Sequence, residues 1–417
     1  MSDATLGPLR VALVAGEHSG DQLGFKLMRA LRETHPAGIA FSGVGGEAME
    51  AEGLTSLFPI GDIAVMGILP VIARLGTLLK RIRQTAEAIV AERPDALVII
   101  DSPDFTHRVA RRARKALPDL AVVDYVSPSV WAWRPGRARA MLSYVDCVLG
   151  LLPFEPEAYQ RLGGPRCVYV GHPLIERLAE LRPNEDEARR RHAEPPVLVV
   201  LPGSRRSEIR RLMADFGGAL GALQERIGPF TAILPTLPHI EEEVRARAAL
   251  WPVTPRIVLG EAAKFEAFRT ARAGLAASGT VTLELALAGV PLVGAYKVGI
   301  VEEQLKFLIK VPSILLPNLI LADRTIPEEL QRDCNPAKLS ADLAAIMRDG
   351  PERTAQIDAL ARLDAAMRLS DGGAPSAHAA RAVLETIGAA RGLQCDAEAR
   401  RSLRPSKSVR ATALGEK

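Results

Sequence analysis

The 417-residue chain lacks the features that mark several functional classes. Its four cysteines, Cys147, Cys167, Cys334 and Cys395, are widely scattered and form no C-x-x-C pair. That excludes a disulfide frame and a cysteine zinc site, and it points to reduced thiols. No charge of one sign dominates: 53 Lys and Arg against 49 Asp and Glu leave +4. A dedicated nucleic-acid binder is therefore not indicated, and local basic clusters matter more than the total. No run reaches the roughly 18 apolar residues of a membrane-spanning helix. The opening Met1-Ser-Asp-Ala-Thr-Leu-Gly-Pro-Leu-Arg10 lacks the apolar stretch of a signal peptide. Together these absences predict a cytoplasmic protein that is still free to touch a membrane surface. With 48% hydrophobic and 24% charged residues, the chain reads as soluble and globular, long enough for two domains with separate cores.

What is present is a repeated strand, glycine loop and helix. Leu198-Val-Val-Leu-Pro-Gly-Ser-Arg-Arg-Ser-Glu208 is an apolar run ending in a glycine turn before a helical pattern. Such a junction aims backbone N–H groups and the positive end of a helix at a bound anion, and Arg205 and Arg206 add charge beside it. Arg10–Val14 leads through Ala15-Gly-Glu-His-Ser-Gly-Asp21 into the helical pattern Leu23–Leu31, and Gly274–Ala277 leads through Ser278-Gly279-Thr280. Further strands are predicted at Ile39–Ser42, Ala96–Ile100, Ala121–Val126, Val145–Leu151, Val168–Gly171, Ala232–Leu234, Arg256–Leu259 and Pro291–Tyr296. The fold class is α/β: two facing Rossmann-like domains with a cleft between them, suited to a nucleotide-activated substrate. Gly43-Val-Gly-Gly-Glu-Ala48 fits G-x-G-x-x-A, but it follows the second strand instead of the first, which argues against a nicotinamide site.

Ala96–Ile100 delivers Asp101-Ser-Pro-Asp104-Phe105 to a strand end. Each carboxylate there suits a general base or the N-cap of a helix over Thr106–Ala116. Trp131 and Trp133 on the following proline-flanked loop suit stacking, a packed lid or scaffold. Leu181–Pro196, polar and proline-bearing, reads as the interdomain linker. Ile300–Val311 reads as an apolar helix carrying Lys306 and Lys310, and 388–417 as a disordered basic tail. In the segment 64–83, Ile68, Ile72, Leu75 and Leu79 recur at helical spacing, bordered by Arg74, Lys80, Arg81 and Arg83. That pattern serves a core helix with a basic outer face, or a surface laid against lipid phosphates and acyl chains.

Seven ordered segments together resemble lipid-A-disaccharide synthases, over roughly residues 10 to 387. They are Ala15-Gly-Glu-His-Ser-Gly-Asp21, Ala64-Val-Met-Gly67, Asp101–Phe105, Tyr125–Trp133, Leu201-Pro-Gly-Ser-Arg205, Ala277–Glu284 and Leu316-Pro-Asn318. The resemblance implies a glycosyltransferase-B fold and an inverting hexosyltransferase without metal or cofactor. It moves 2,3-diacylglucosamine from UDP to 2,3-diacylglucosamine 1-phosphate (lipid X), forming a β-1′,6 bond and UDP. It implies Asp104 as general base, with Glu17 and Arg205 also catalytic. Ser19, Asp21, Ser204, Gly279, Thr280, Glu284 and Asn318 are implied to bind substrate. The family often carries asparagine where this chain has Thr106. Peripheral association with the inner face of the inner membrane is implied as well, with Val65, Met66, Ile68, Leu69, Ile72, Arg74, Leu75, Lys80 and Arg81 facing lipid. A homodimer follows from the family's dimers. The expected division is 1–175 for acceptor and membrane, 176–367 for the UDP-sugar, and helices near 368–387 packing back on the first domain.

Overall fold

The computed structural model describes residues 8–63, 75–299 and 311–402, with side chains up to Gly392. Two six-stranded sheets, entirely parallel in their pairings, carry the chain. The first contains β1 (Leu9–Ala15), β2 (Ile39–Val44), β3 (Ala96–Ile100), β4 (Ala121–Tyr125), β5 (Cys147–Gly150) and β6 (Arg166–Tyr169), in the order β2-β1-β3-β4-β5-β6. The second contains β7 (Val197–Leu201), β8 (Thr231–Thr236), β9 (Arg256–Leu259), β10 (Ala273–Ala277), β11 (Leu292–Tyr296) and β12 (Glu328–Leu330). Its order, β12-β11-β10-β7-β8-β9, is the doubly wound dinucleotide-fold arrangement. Strand runs such as Ala-Leu-Val-Ile-Ile in β3 and Val-Leu-Val-Val-Leu in β7 are apolar at every position because helices cover both faces. Leu198 and Val200 join the core on one face of the second sheet, while Val197, Val199 and Leu201 join the core on the other. β12 was not expected; its Glu-Glu-Leu sequence has no apolar alternation, and it survives as a short edge strand.

Every strand of a parallel sheet delivers its following loop to the same edge, and strand order reverses between β1 and β3 and between β7 and β10. At those switch points adjacent loops diverge and leave a crevice. The loops after β1 and β3 bring Glu17, Ser19 and Asp101 together; those after β7 and β10 bring Ser204, Arg205, Gly279 and Thr280 to one pocket.

The chain passes between the halves twice. At the first passage Gly171 has φ +89, and a Cβ there would lie 2.9 Å from Leu369 and 3.0 Å from Pro375 on the returning strand of chain. Tyr169 Oη donates to the Met367 carbonyl at 2.6 Å beside it. After returning, helix Pro375–Ser402 lays Ala379, Ala380, Val383 and Ile387 against Leu13, Val98 and Tyr125 of the first sheet. The helix runs on to Ser402, well into the segment read as a disordered tail. Ala390 packs against the first core and Arg391 pairs with Asp95 at 2.7 Å, anchoring the extension.

The segment Leu181–Pro196 is not a linker. Its helix Glu185–Arg191 is held on the second half, where the Arg191 guanidinium donates to the carbonyls of Phe268, Arg269, Ala288 and Gly289. These carbonyls lie at the C-terminal ends of two helices, where the backbone runs short of intrahelical donors. Polar composition misled the reading, because arginine can cap neighbours as well as face water.

The residues 64–74 and 300–310 fall outside the described structure, and with them the lipid-facing expectations for Val65, Met66, Ile68, Leu69, Ile72 and Arg74. Helix Leu75–Glu92 presents Leu75 (48% exposed), Leu79 and Lys80 outward. Arg81 departs from that expectation: it bonds Asp62 at 3.0 Å and lies 4.5 Å from the Phe58 ring. No helix among the described residues is long and apolar enough to cross a membrane.

Because Ile387 is fully buried, Ile387→Ala should destabilise the protein by roughly 2–5 kcal/mol. Urea unfolding checks this; an unchanged midpoint would mean that the last helix is no part of the first core.

Candidate active site

Gly16 follows β1 because Ser102 crosses it: a Cβ at Gly16 would sit 2.1 Å from the Ser102 Cβ. That crowding sets Glu17 and Ser19 against the end of β3. Ser19 Oγ lies 3.0 Å from Glu17 Oε1 and 3.4 Å from Asp101 Oδ2. Burial, followed by the hydrogen bonding and charge of Asp101, pushes the Glu17 carboxyl above its ordinary range; Ser19 and Arg205 pull it back. Asp101 and Ser102 have φ +55 and +45, consecutive non-glycine residues in the left-handed region. The turn is fastened by Ser102 N–H donating to Asp101 Oδ1 at 2.7 Å and Thr106 Oγ1 donating to the Asp101 carbonyl at 2.7 Å. Thr106 thus serves the backbone of this turn.

The helix after β3 begins at Pro103, earlier than expected, so neither aspartate is its N-cap; Ser102 is. Asp104 stands in the first helical turn with its side chain 93% exposed, 3.9 Å from Arg137. His107, one turn along, faces inward to Tyr144 (2.9 Å) and Asp124 (3.3 Å).

Asp21 leaves the expected site. It is buried, and its carboxylate accepts from the amides of Gly46 (2.8 Å), Ala48 (3.1 Å) and Met49 (3.1 Å). Two of these amides, those of Gly46 and Ala48, belong to the G-x-G-x-x-A segment, so an internal anion already occupies that nest. Asn318 leaves it too: buried, it donates to the Ile326 carbonyl (2.9 Å) and Glu328 (2.8 Å) and accepts from Ile326 N–H (3.3 Å). Its amide props the chain leading to β12.

The pocket at the β7/β10 switch point has a volume of about 480 Å³ and is lined by Ser204, Arg205, Glu208, Lys264, Gly279, Thr280 and Glu284, with Leu237 and Pro238 on an apolar side. The loop amides of Ser204 and Arg205 do not point at it. Both donate to Glu208, at 2.9 and 3.2 Å, and Glu208 also pairs with the Arg205 guanidinium at 3.1 Å. What remains for an anion is side-chain chemistry, the Ser204 hydroxyl and the exposed Arg205 guanidinium, beside the N-terminus of helix Thr280–Leu287. Glu284 faces the pocket and pairs with Lys264 at 2.8 Å. Lys264 and Glu208 were missed by sequence reading; the R-x-x-E spacing of Arg205 and Glu208 at a helix start was the available signal for the second.

On the Trp loop, Trp131 Nε1 donates to buried Glu155 at 3.1 Å, and Trp133 lies 42% exposed with Arg134 over its ring. Burial pushes the Glu155 carboxyl up to about 7, against the Leu152 amide and the Trp131 indole.

Sequence comparison completes the picture. The family described as lipid-A-disaccharide synthetase matches residues 11–380. The chain belongs to that family. The lipid-A-disaccharide synthase of Nitrobacter hamburgensis is 56% identical over 384 residues, covering 92% of this chain and 97% of its own. That of Bradyrhizobium diazoefficiens is 55% identical over 379 residues, covering 91% and 96%. Acinetobacter baumannii MurG shares the fold, with a TM-score of 0.55 at 16% identity over 91% of this chain and all of its own. The architecture is thus the glycosyltransferase-B fold of two Rossmann-like halves, and the activity of the chain is lipid A disaccharide synthesis by glycosyl transfer.

Two expectations follow. Asp21→Ala strands three amides and should cost about 2 kcal/mol or more of stability, leaving the turnover of the folded fraction within about threefold of wild type. Thermal unfolding and active-site-normalised rates test it; a large rate loss at unchanged stability would return Asp21 to the substrate. Glu155 holds a proton in the folded state between about pH 4.5 and 7 that the unfolded chain releases, so stability should fall as pH rises through that window. The whole effect is on the order of 3 kcal/mol. Glu155→Gln should flatten the slope of urea midpoints between pH 5 and 8, and equal slopes would contradict this.

Proposed function

We propose that the chain transfers 2,3-diacylglucosamine from UDP to the 6-hydroxyl of 2,3-diacylglucosamine 1-phosphate, with inversion. The observation that carries the reading is the facing of the two switch points: a nucleotide-sized pocket with Arg205 on its rim, opposite the carboxylates of Glu17 and Asp101. In this reading UDP lies in the β7/β10 pocket. Ser204, Arg205 and the helix N-terminus at Gly279 and Thr280 take the diphosphate, and Glu284 accepts from the ribose. Charge-assisted bonds of roughly 1.5–3 kcal/mol each hold the leaving group as its negative charge grows.

Asp104 is the base in this proposal, taking the proton of the acceptor hydroxyl as its oxygen attacks the anomeric carbon and the bond to UDP breaks. Its exposure beside Arg137 suits a group that must meet a second substrate entering from solvent. The first sheet with its returning helix forms the acceptor domain, 1–175 with 368–387, and 176–367 the donor domain. The outward Leu75, Leu79 and Lys80 support contact with the inner face of the inner membrane, where both acylated sugars reside.

The test is UDP release from UDP-2,3-diacylglucosamine with and without lipid X. Acceptor-dependent release is expected, and Asp104→Ala should lower it by ~10²–10⁴-fold while UDP still binds. Release without acceptor would favour an epimerase or hydrolase. Activity within tenfold of wild type would remove Asp104 as the base.

A further inference from the structure

We propose that Arg137 holds the phosphate of the acceptor while the acceptor hydroxyl meets Asp104, and that it is the residue by which the enzyme tells a sugar 1-phosphate from a neutral sugar. The proposal rests on the acceptor reading above and names a residue to which that reading gives no substrate contact.

Three observations converge. The first is position. β3 and β4 are neighbours in a parallel sheet, so the loop after β4 emerges beside the loop after β3. It runs through Trp133 into helix Gly136–Met141, whose second residue is Arg137. The guanidinium thereby stands 3.9 Å from the Asp104 carboxylate, too far for a hydrogen bond. The second is a lack of acceptors. The Arg137 side chain is only 23% exposed, yet none of its five N–H donors finds a hydrogen-bond acceptor among the described residues. Arg81 and Arg269, buried to the same degree, are both engaged: Arg81 bonds Asp62 and Gln84, and Arg269 bonds Glu187 and the Glu180 carbonyl. Tyr144, which lies within reach of the Arg137 charge, has its hydroxyl engaged by Arg111 at 3.2 Å and His107 at 2.9 Å. A guanidinium withdrawn from water without acceptors is costly, and an arriving anion relieves that cost. The third concerns the neighbouring arginines. Arg134 stacks on Trp133 at 4.2 Å, and Arg139 reaches Gly163 at the end of helix Glu155–Leu162. Of these three, Arg137 is the one beside Asp104.

The planar fork of a guanidinium matches two oxygens of a phosphate monoester at once. In the acceptor, the 6-hydroxyl and the 1-phosphate lie on either side of the ring oxygen. With a hydrogen bond at each end, Asp104 and Arg137 can hold groups up to about 10 Å apart, which spans one sugar ring. Gripping the phosphate therefore sets the opposite end of the same ring against Asp104, an orienting effect on the attacking oxygen. The donor diphosphate has its own partners at the β7/β10 pocket, so the two phosphate-bearing substrates are sorted between two arginines, Arg205 and Arg137.

The test compares kcat/KM for lipid X with that for the methyl glycoside of 2,3-diacylglucosamine, which keeps the 6-hydroxyl and both acyl chains but carries no phosphate. UDP release is the readout, and the glycoside is also read as a competitive inhibitor of lipid X so that slow turnover does not hide its binding. Wild type should favour lipid X by roughly 10- to 100-fold. Arg137→Ala should lose most of that preference through a raised KM for lipid X, leaving the glycoside and the donor KM within about threefold of wild type. Arg137→Lys keeps the charge without the fork and should fall between; it carries the test should the alanine variant not fold. Arg139→Ala, on the same helix, should behave as wild type. Equal losses toward both acceptors, an unchanged preference in Arg137→Ala, or a raised KM for the donor instead would overturn the proposal. A wild type without acceptor-dependent UDP release would overturn the acceptor reading beneath it.

Discussion

Backbone amides at the ends of parallel strands require partners, and this chain supplies many of them from its own carboxylates. Asp21 takes three amides at the start of helix Glu47–Ala51, Glu208 takes two after β7, Glu328 takes the Ile314 amide and Asp146 the Val122 amide. The bonds of Asp21 and Glu208 fix loops at the carboxyl edges of the two sheets, so the geometry there depends on internal anions. A neutral replacement would leave donors unpaired, which costs more than the bond itself contributes.

This pattern divides the glycine loops into those that bind the protein and those left to bind ligand. Besides the loop Ala15–Asp21, three loops have the sequence of an anion cradle: Gly43–Ala48, Pro202–Arg205 and Ser278–Thr280. In the first two the amides are spent on Asp21 and Glu208. At the third, Ser278 N–H joins the sheet through the Ala295 carbonyl and Thr282 N–H turns back to Gly279, while Gly279 and Thr280 stand exposed on the pocket wall. The third loop, with the side chains of the second, is therefore the one left for the diphosphate in the proposed reading.

The alternation of apolar runs with glycine loops made eleven strands legible, because a strand buried on both faces has to be apolar throughout, whereas the strand order that creates the switch points is not written in any local pattern. Glu17, Ser19 and Arg205 were legible from loop residues at strand ends, and they do gather at the cleft. Asp21 and Asn318 were not separable from them, since a carboxylate or amide that caps a neighbouring segment looks in sequence like one that meets substrate. The difference lies in a contact 25 residues away for Asp21 and Gly46, which no local pattern encodes. Leu181–Pro196 was misread for a related reason: Arg191 is charged, yet its work is to gather carbonyls from helix ends far along the chain.

The cations of the pocket are already paired: Arg205 with Glu208 and Lys264 with Glu284. An exposed ion pair contributes only ~0–1 kcal/mol, and Arg205 is 59% exposed. A charge-assisted bond to phosphate contributes roughly 1.5–3 kcal/mol, so an exchange from carboxylate to diphosphate would be downhill. A lone phosphate offers few such bonds and must still displace the carboxylates. A nucleoside diphosphate meets the arginine, the helix N-terminus and Glu284 together, and the entropy of holding it is spread over several contacts. If the pocket is the UDP site proposed above, pre-paired cations make it discriminate by the number of contacts a ligand makes and return it to near neutrality when the ligand leaves.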